Sequence, residues 1–262
     1  MKLKTRLFWH SGALLSAYCG LKAKARRAKR MPDFYSRIEK TNYFQKQAKK
    51  ALNAYGIKLN VKGFENVPDS ACLIIPNHST YLDPIIMAYA LSNRGDGEKT
   101  SKNFNFLAKN EVAKKKGIKL IAEYIETVFI DTANPREAVK TLIEFGKIVK
   151  ENKTCGIVFA EGTRTRDGKI GTFQLGAFKI AQANFLPVVP VTINNAVNAM
   201  DKNRDAMLEV EVIFHPMLKP AQFQTVETKV YADYVQKIVE KDYKEQVITS
   251  PETQKNTYSK RD

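Results

Sequence analysis

The chain has 262 residues, 44% hydrophobic and 27% charged, with a net charge of +16. Those proportions exclude a disordered chain, and the length suits one large domain or a domain with an appendage. The charge is uneven: residues 1–50 hold fourteen Lys and Arg against Asp33 and Glu39, so twelve of the sixteen positive charges lie there. Basicity therefore describes the N-terminal region and says little about the rest.

The stretch from Leu7 to Leu21 carries no formal charge, but its fifteen residues fall short of the ~20 apolar residues a spanning helix needs. No small-x-small cleavage site follows, and the positive block from Lys22 to Arg30 opposes translocation, so the stretch does not read as a signal peptide. Tyr18 before Cys19 is likewise wrong for a lipoprotein site. The pattern predicts one interfacial helix. Leu7, Phe8, Trp9, Leu14, Leu15, Tyr18 and Leu21 enter the headgroup boundary, and Lys22, Lys24, Arg26, Arg27, Lys29 and Arg30 sit on an anionic membrane surface. At roughly 1 kcal/mol per basic residue near such a surface, six contribute on the order of 6 kcal/mol before ordering costs. A nucleic-acid arm or a plain solvated face are the alternatives; the aromatic and aliphatic neighbours favour lipid, and no nucleic acid is expected.

Pro32-Asp33 breaks the basic block, and a second, less regular helix runs from Phe34 to Tyr55 and stops at Gly56. Lys58 to Phe64 alternates as a strand. Cys72 to Ile75 is an apolar run of strand length ended by Pro76-Asn77, and Asp83-Pro84 starts a helix, with Asp as cap and Pro preset for the first helical position. His78 therefore lies in a loop between a strand's end and a helix's start, where sites collect in open α/β sheets. Asp83 is close enough to bond one imidazole nitrogen, fix the tautomer and leave the other free to take a proton. A structural histidine beside a capping aspartate is the bland alternative.

Ser92 to Lys102, with Gly95 and Gly97, reads as a surface loop. Phe104 to Ala108 reads as a strand, Val112 to Ala122 as an irregular helical segment, and Val128 to Ile130 as a strand. Asn134-Pro135-Arg136-Glu137 opens a helix with a capping box. Gly156 to Phe159 is a second apolar run, followed by Glu161-Gly162-Thr163-Arg164. Glycine there lets backbone approach an anion, and the Arg fork suits phosphate. Phe173 to Ala183 reads as a helix. Leu186 to Ile193 is β-rich but holds Pro187 and Pro190, which predicts an edge strand or a bulge. Leu208 to Phe214 alternates as a strand and Thr225 to Tyr243 is an amphipathic helix. Strands and helices alternate throughout, which predicts an α/β fold.

Cys19, Cys72 and Cys155 form neither a disulfide framework nor a metal site; Cys72 and Cys155 read as core thiols in a reducing compartment, and no metal or cofactor is expected. His10 and His215 have no carboxylate at useful spacing.

Gly63-Phe64-Glu65-Asn66-Val67-Pro68, Asn77-His78-x4-Asp83, Glu161-Gly162-Thr163-Arg164 and Val189-Pro190-Val191, in this order, resemble the glycerophospholipid acyltransferases, specifically the 1-acyl-sn-glycerol-3-phosphate acyltransferases. The resemblance runs from about residue 58 to 193. It implies that His78 is the base, Asp83 its partner, and Glu161, Gly162, Thr163 and Arg164 part of the glycerol-phosphate site. The substrates would be lysophosphatidate and acyl-CoA or acyl carrier protein, with direct transfer and no acyl-enzyme. The family's second motif places an Arg after Phe-Ile-Asp; here Phe129-Ile130-Asp131 is followed by Thr132, so phosphate binding shifts to Arg136, Lys109 or Arg164. Lys109 as a solvated lysine is the alternative. A related acyltransferase using glycerol 3-phosphate or another lysophospholipid shares the same motifs, and a basic membrane-binding protein with an inactive fold is the non-enzymatic reading. The expected organisation is a mixed, largely parallel sheet flanked by helices at 57–248, preceded by a helical membrane-associating segment at 1–56 and followed by a polar tail at 249–262.

Overall fold

The structure, a computed structural model, describes residues 1–95, 100–165 and 167–249. Gly97 of the predicted surface loop and the tail beyond 249 lie outside the described residues. In chain order the elements are α1 (Leu3–Trp9), α2 (Ser11–Arg30), α3 (Arg37–Ala54), β1 (Ile57–Lys62), β2 (Cys72–Pro76), α4 (Asp83–Ala90), β3 (Phe104–Lys109) and α5 (Asn110–Ala113). There follow α6 (Lys116–Tyr124), β4 (Val128–Ile130), α7 (Pro135–Glu151), β5 (Cys155–Ile157), α8 (Gly176–Asn184), β6 (Val188–Asn194), β7 (Leu208–Phe214) and α9 (Thr228–Lys241).

The seven strands form one sheet in the order β1-β7-β6-β2-β5-β3-β4, parallel at every pairing except β6 with β7. The predicted mixed, largely parallel sheet flanked by helices is what forms. Both faces are covered, as a largely parallel sheet requires. On β2 the alternation is visible: Cys72 and Ile74 join the core that includes Phe44, Leu52 and Met87, while Leu73 and Ile75 join the core with Phe145, Phe178 and Val235. Both residue pairs are fully withdrawn from water, so β2 reads as an unbroken apolar run in the sequence.

The prolines mislead about β6. It is an internal strand, buried at every position, not an edge. Pro190 still accepts from His215 N at 3.0 Å, so only the bond proline cannot donate is lost. The expected irregularity falls on the segment that continues β7 instead: the register between Val191↔Phe214 and Val188↔Leu218 slips by one residue around Pro216.

At the N-terminus the single predicted helix is two, broken at His10. Leu21, assigned to lipid from the sequence, is buried in the protein core, and α2 packs along α3 and α6. Helix α3 begins on a capping box, Ser36 with Glu39, that the sequence carried as S-x-x-E. At α7 the box is half formed: Asn134 Oδ1 accepts from Glu137 N at 3.3 Å, while the Glu137 carboxylate turns to Lys140.

Candidate active site

The carboxyl ends of β2 and β5 lie side by side, and each gives one loop to the site. After β2, Asn77 is buried and its side-chain amide behaves like a strand residue: Nδ2 donates to Ile193 O at 3.0 Å and Oδ1 accepts from Ile193 N at 2.7 Å. This ties the loop to β6 at the point where the β2 ladder ends. His78 follows, with Nδ1 2.7 Å from Asp83 Oδ2. Asp83 is not the cap that its place at a helix start suggests. Its carboxylate is completely buried and points back into the loop, where Oδ2 also accepts from Ser79 N at 2.7 Å and Thr80 N at 2.8 Å. With Asp83 as acceptor, Nδ1 carries the proton and Nε2 holds the lone pair. Among the described residues His78 Nε2 has no hydrogen-bond partner, and the ring stacks on Phe159 at 4.3 Å.

After β5 the turn Glu161-Gly162-Thr163-Arg164 wraps around the His78 backbone. Glu161 Oε1 accepts from His78 N at 2.6 Å, Oε2 accepts from Gly171 N at 2.8 Å, and Thr165 N donates to His78 O at 2.8 Å. Gly162 has φ of +66°, and an added Cβ would find room; glycine is needed there for the left-handed backbone rather than for space. Thr163 is exposed at the turn's tip. Arg164 lays its guanidinium 3.6 Å from the centre of the Tyr81 ring, so the two loops meet again at a cation-π contact that the sequence reading did not include. Arg164 makes no ion pair among the described residues.

Residues 58–194, just over half of the chain, match the family model described as Acyltransferase. The chain belongs to the Acyltransferase family. It is 31% identical over 197 residues to the "Probable 1-acyl-sn-glycerol-3-phosphate acyltransferase" of Mycoplasma pneumoniae, covering 72% of each chain. It is 28% identical over 192 residues to the 1-acyl-sn-glycerol-3-phosphate acyltransferase of Borreliella burgdorferi, covering 71% of this chain and 73% of that one. The crystal structure of the 1-acyl-sn-glycerophosphate acyltransferase from Thermotoga maritima superimposes with a TM-score of 0.67 at 24% identity, over 91% and 92% of the two chains, and shares the fold.

Within this acyltransferase the other predicted cations lie along the same sheet edge, further out. Lys109 ends β3, two strands from β2, and Arg136 stands in the first turn of α7, which follows β4, three strands away; both are exposed. Arg164 is the one brought against the histidine loop. His215, which has no carboxylate nearby in sequence, acquires one in space: Nδ1 lies 3.7 Å from Asp242 Oδ2, and Nε2 2.8 Å from Thr192 Oγ1. His215 is buried beneath α9 while Asp242 is exposed, and burial holds the imidazole below its ordinary value.

Glu161 is a scaffold carboxyl in this acyltransferase, with both oxygens committed to backbone amides. Burial pushes its pKa up to about 8, against the two amide bonds that pull it down. A native state that binds this proton more tightly than the unfolded chain gains stability that is complete below about 4.5 and lost as pH rises through 8. The unfolding free energy from urea titration is therefore expected to fall between pH 5 and 8.5, by a few kcal/mol at about 1.4 kcal/mol per tenfold in proton affinity. Glu161→Gln flattens that dependence and is less stable at pH 5 by about 1–3 kcal/mol, because an NH2 now faces a backbone N–H.

Proposed function

We propose that this chain is a 1-acyl-sn-glycerol-3-phosphate acyltransferase, moving a fatty acyl group from acyl-CoA or acyl carrier protein to the sn-2 hydroxyl of lysophosphatidate and forming phosphatidate. The observation that carries the reading is the His78–Asp83 pair with its outer nitrogen unengaged, one loop away from a guanidinium held on Tyr81. The names of the relatives give the acceptor class. His78 Nε2 takes the proton from the acceptor hydroxyl, and the oxygen attacks the thioester carbonyl. The C–S bond then breaks, and the departing thiolate recovers the proton from the imidazolium. A thioester is already activated, so a base, positioning and charge stabilisation suffice without a covalent enzyme intermediate or a cofactor.

Purified protein incubated with lysophosphatidate and acyl-CoA or acyl carrier protein should form phosphatidate, and an acceptor panel including glycerol 3-phosphate should show lower turnover. No thioester-dependent phosphatidate with either donor would refute the assignment. Arg164→Ala is expected to raise KM for lysophosphatidate about tenfold or more, the size of a lost hydrogen bond to a charged group, and to change kcat less.

The same reading places the chain on an anionic membrane surface. Among the described residues no helix is long and apolar enough to cross a membrane. Helix α1 is pinned to the body, with Leu3 N on Arg204 O at 3.0 Å and Lys4 N on Lys202 O at 3.0 Å, yet Phe8 and Trp9 are 74% and 76% exposed. Exposed Leu15 and Tyr18 continue this surface along α2. At the start of α6, Gly117 comes so close to the Tyr18 hydroxyl that a Cβ there would lie 2.1 Å from it, which sets exposed Ile118 and Lys114, Lys115, Lys116 and Lys119 beside the stripe. Apolar residues bordered by lysines suit lipid headgroups. Sedimentation with phosphatidylglycerol vesicles but not with phosphatidylcholine vesicles is the expected result; equal partition, or none, would refute it.

A further inference from the structure

The segment after α9 closes a hydrogen-bonded circuit around His78. Tyr243 Oη donates to Gly168 O at 2.7 Å, and Gln246 N reaches the same carbonyl at 3.4 Å. Gly168 has φ of +77°, and a Cβ on it would lie 1.8 Å from Gln246 O, so strap and loop meet backbone to backbone. Gly168 belongs to the loop that continues the Arg164 turn. Within that loop Thr165 Oγ1 reaches both Asp167 Oδ1, at 2.9 Å, and Lys169 O, and Thr165 N holds His78 O.

The strap's other side is tied to the end of β6. Lys244 N donates to Asn194 Oδ1 at 2.9 Å, and Asn194 Nδ2 donates to Asp242 O at 2.9 Å. Further along, Asn198 Nδ2 donates to Val247 O at 2.7 Å and Asn198 Oδ1 accepts from Thr249 N at 3.0 Å. Asn194 directly follows Ile193, whose backbone is held by Asn77. The circuit thus runs from His78 through Thr165 to Gly168, across Tyr243 to Asn194, and back through Ile193 and Asn77 to His78.

We infer that Tyr243 is a positioning residue for acyl transfer: its hydroxyl fixes Gly168, whose neighbours Asp167 and Lys169 hold Thr165, and so sets the distance from the phosphate-binding turn to the histidine. The phenol is suited to this, because burial raises its pKa and keeps it a donor at any working pH. Asp242 O and Lys244 N, on either side of it, bind Asn194, and their side chains face His215 and Glu211, so among the described residues the Tyr243 hydroxyl is the side-chain link from the strap to the turn.

The inference rests on the proposed activity, and Tyr243→Phe tests it in two ways. It keeps the ring and removes one hydrogen bond. Hydrogen exchange at Thr165 N, which needs no substrate, should speed up about five- to tenfold, the equivalent of one neutral hydrogen bond. KM for lysophosphatidate should rise by a similar factor with kcat within about twofold and Tm nearly unchanged. Gly168→Ala, which forces the strap away, should exceed Tyr243→Phe on both readouts. Unchanged Thr165 exchange in Tyr243→Phe overturns the positioning role whether or not the wild type acylates lysophosphatidate. Faster exchange with wild-type KM in an active enzyme also overturns it.

Discussion

Replacing His78 with alanine is expected to lower acyl transfer by about 10²–10⁴-fold, the usual contribution of a positioned general base, with the fold retained. The retained fold follows from how His78 is held. Its N–H bonds Glu161 and its carbonyl accepts from Thr165, and alanine keeps both. What is lost is the stack on Phe159, worth about 0.5–1.5 kcal/mol, and the Nδ1–H bond to Asp83, whose Oδ2 keeps Ser79 N and Thr80 N as donors. Circular dichroism and a melting curve would check the fold, and single-turnover kinetics would check the chemistry. Wild-type turnover in the variant would eliminate the mechanism. Trapping an acyl-cysteine would do the same, and the structure argues against one at Cys72 or Cys155. Cys72 and Cys155 face each other across β2 and β5 with their sulfurs 3.6 Å apart and both side chains buried. The hydrogen bond to Cys155, followed by burial, pushes the Cys72 thiol well up, away from thiolate.

How much of this was legible in the sequence follows the range of the interactions concerned. The His78–Asp83 pair lies within five residues, and strand and helix signals on either side fix the geometry between them, so local pattern sufficed. The Glu161–Arg164 turn could be located for the same reason, but what its carboxylate does could not: Glu161 bonds a backbone amide 83 positions away. Asn77 reaches Ile193 and Tyr243 reaches Gly168, pairings that only the strand order β6-β2-β5 brings about. Local rules also failed where tertiary packing overrode them. Two prolines argued for an edge or a bulge; the segment continuing β7 took up the irregularity and left β6 inside. A run from Leu7 to Leu21 looked uniform to lipid, but α2 rotates Leu21 into the core while leaving Leu15 and Tyr18 outside.

The second large effect concerns Asp83, where two substitutions should behave differently. In Asp83→Ala three donors lose their acceptor: His78 Nδ1, Ser79 N and Thr80 N. Each buried donor left without a partner costs about 1–3 kcal/mol, so this variant should be strongly destabilised and its inactivity would say little about chemistry. Asp83→Asn is the informative change. The three donors all converge on Oδ2, so an asparagine oxygen placed there satisfies them, whereas its NH2 placed there would face all three. The NH2 then takes the position of Oδ1, which has no hydrogen-bond partner among the described residues, so it is left without an acceptor at a cost of about 1–3 kcal/mol. The loop and the Nδ1–H tautomer are thereby kept, and the negative charge alone is removed. That charge matters when His78 takes the acceptor proton, because a buried carboxylate 2.7 Å away stabilises the imidazolium in a region of low dielectric. Asp83→Asn is therefore expected to lose far less stability than Asp83→Ala, one unpartnered donor against three, and to transfer acyl groups about 10²–10³-fold more slowly, as electrostatic stabilisation of a developing charge is removed. A stable Asp83→Asn protein with wild-type kcat would mean that the carboxylate only shapes the loop, and that proton transfer through His78 does not limit the reaction.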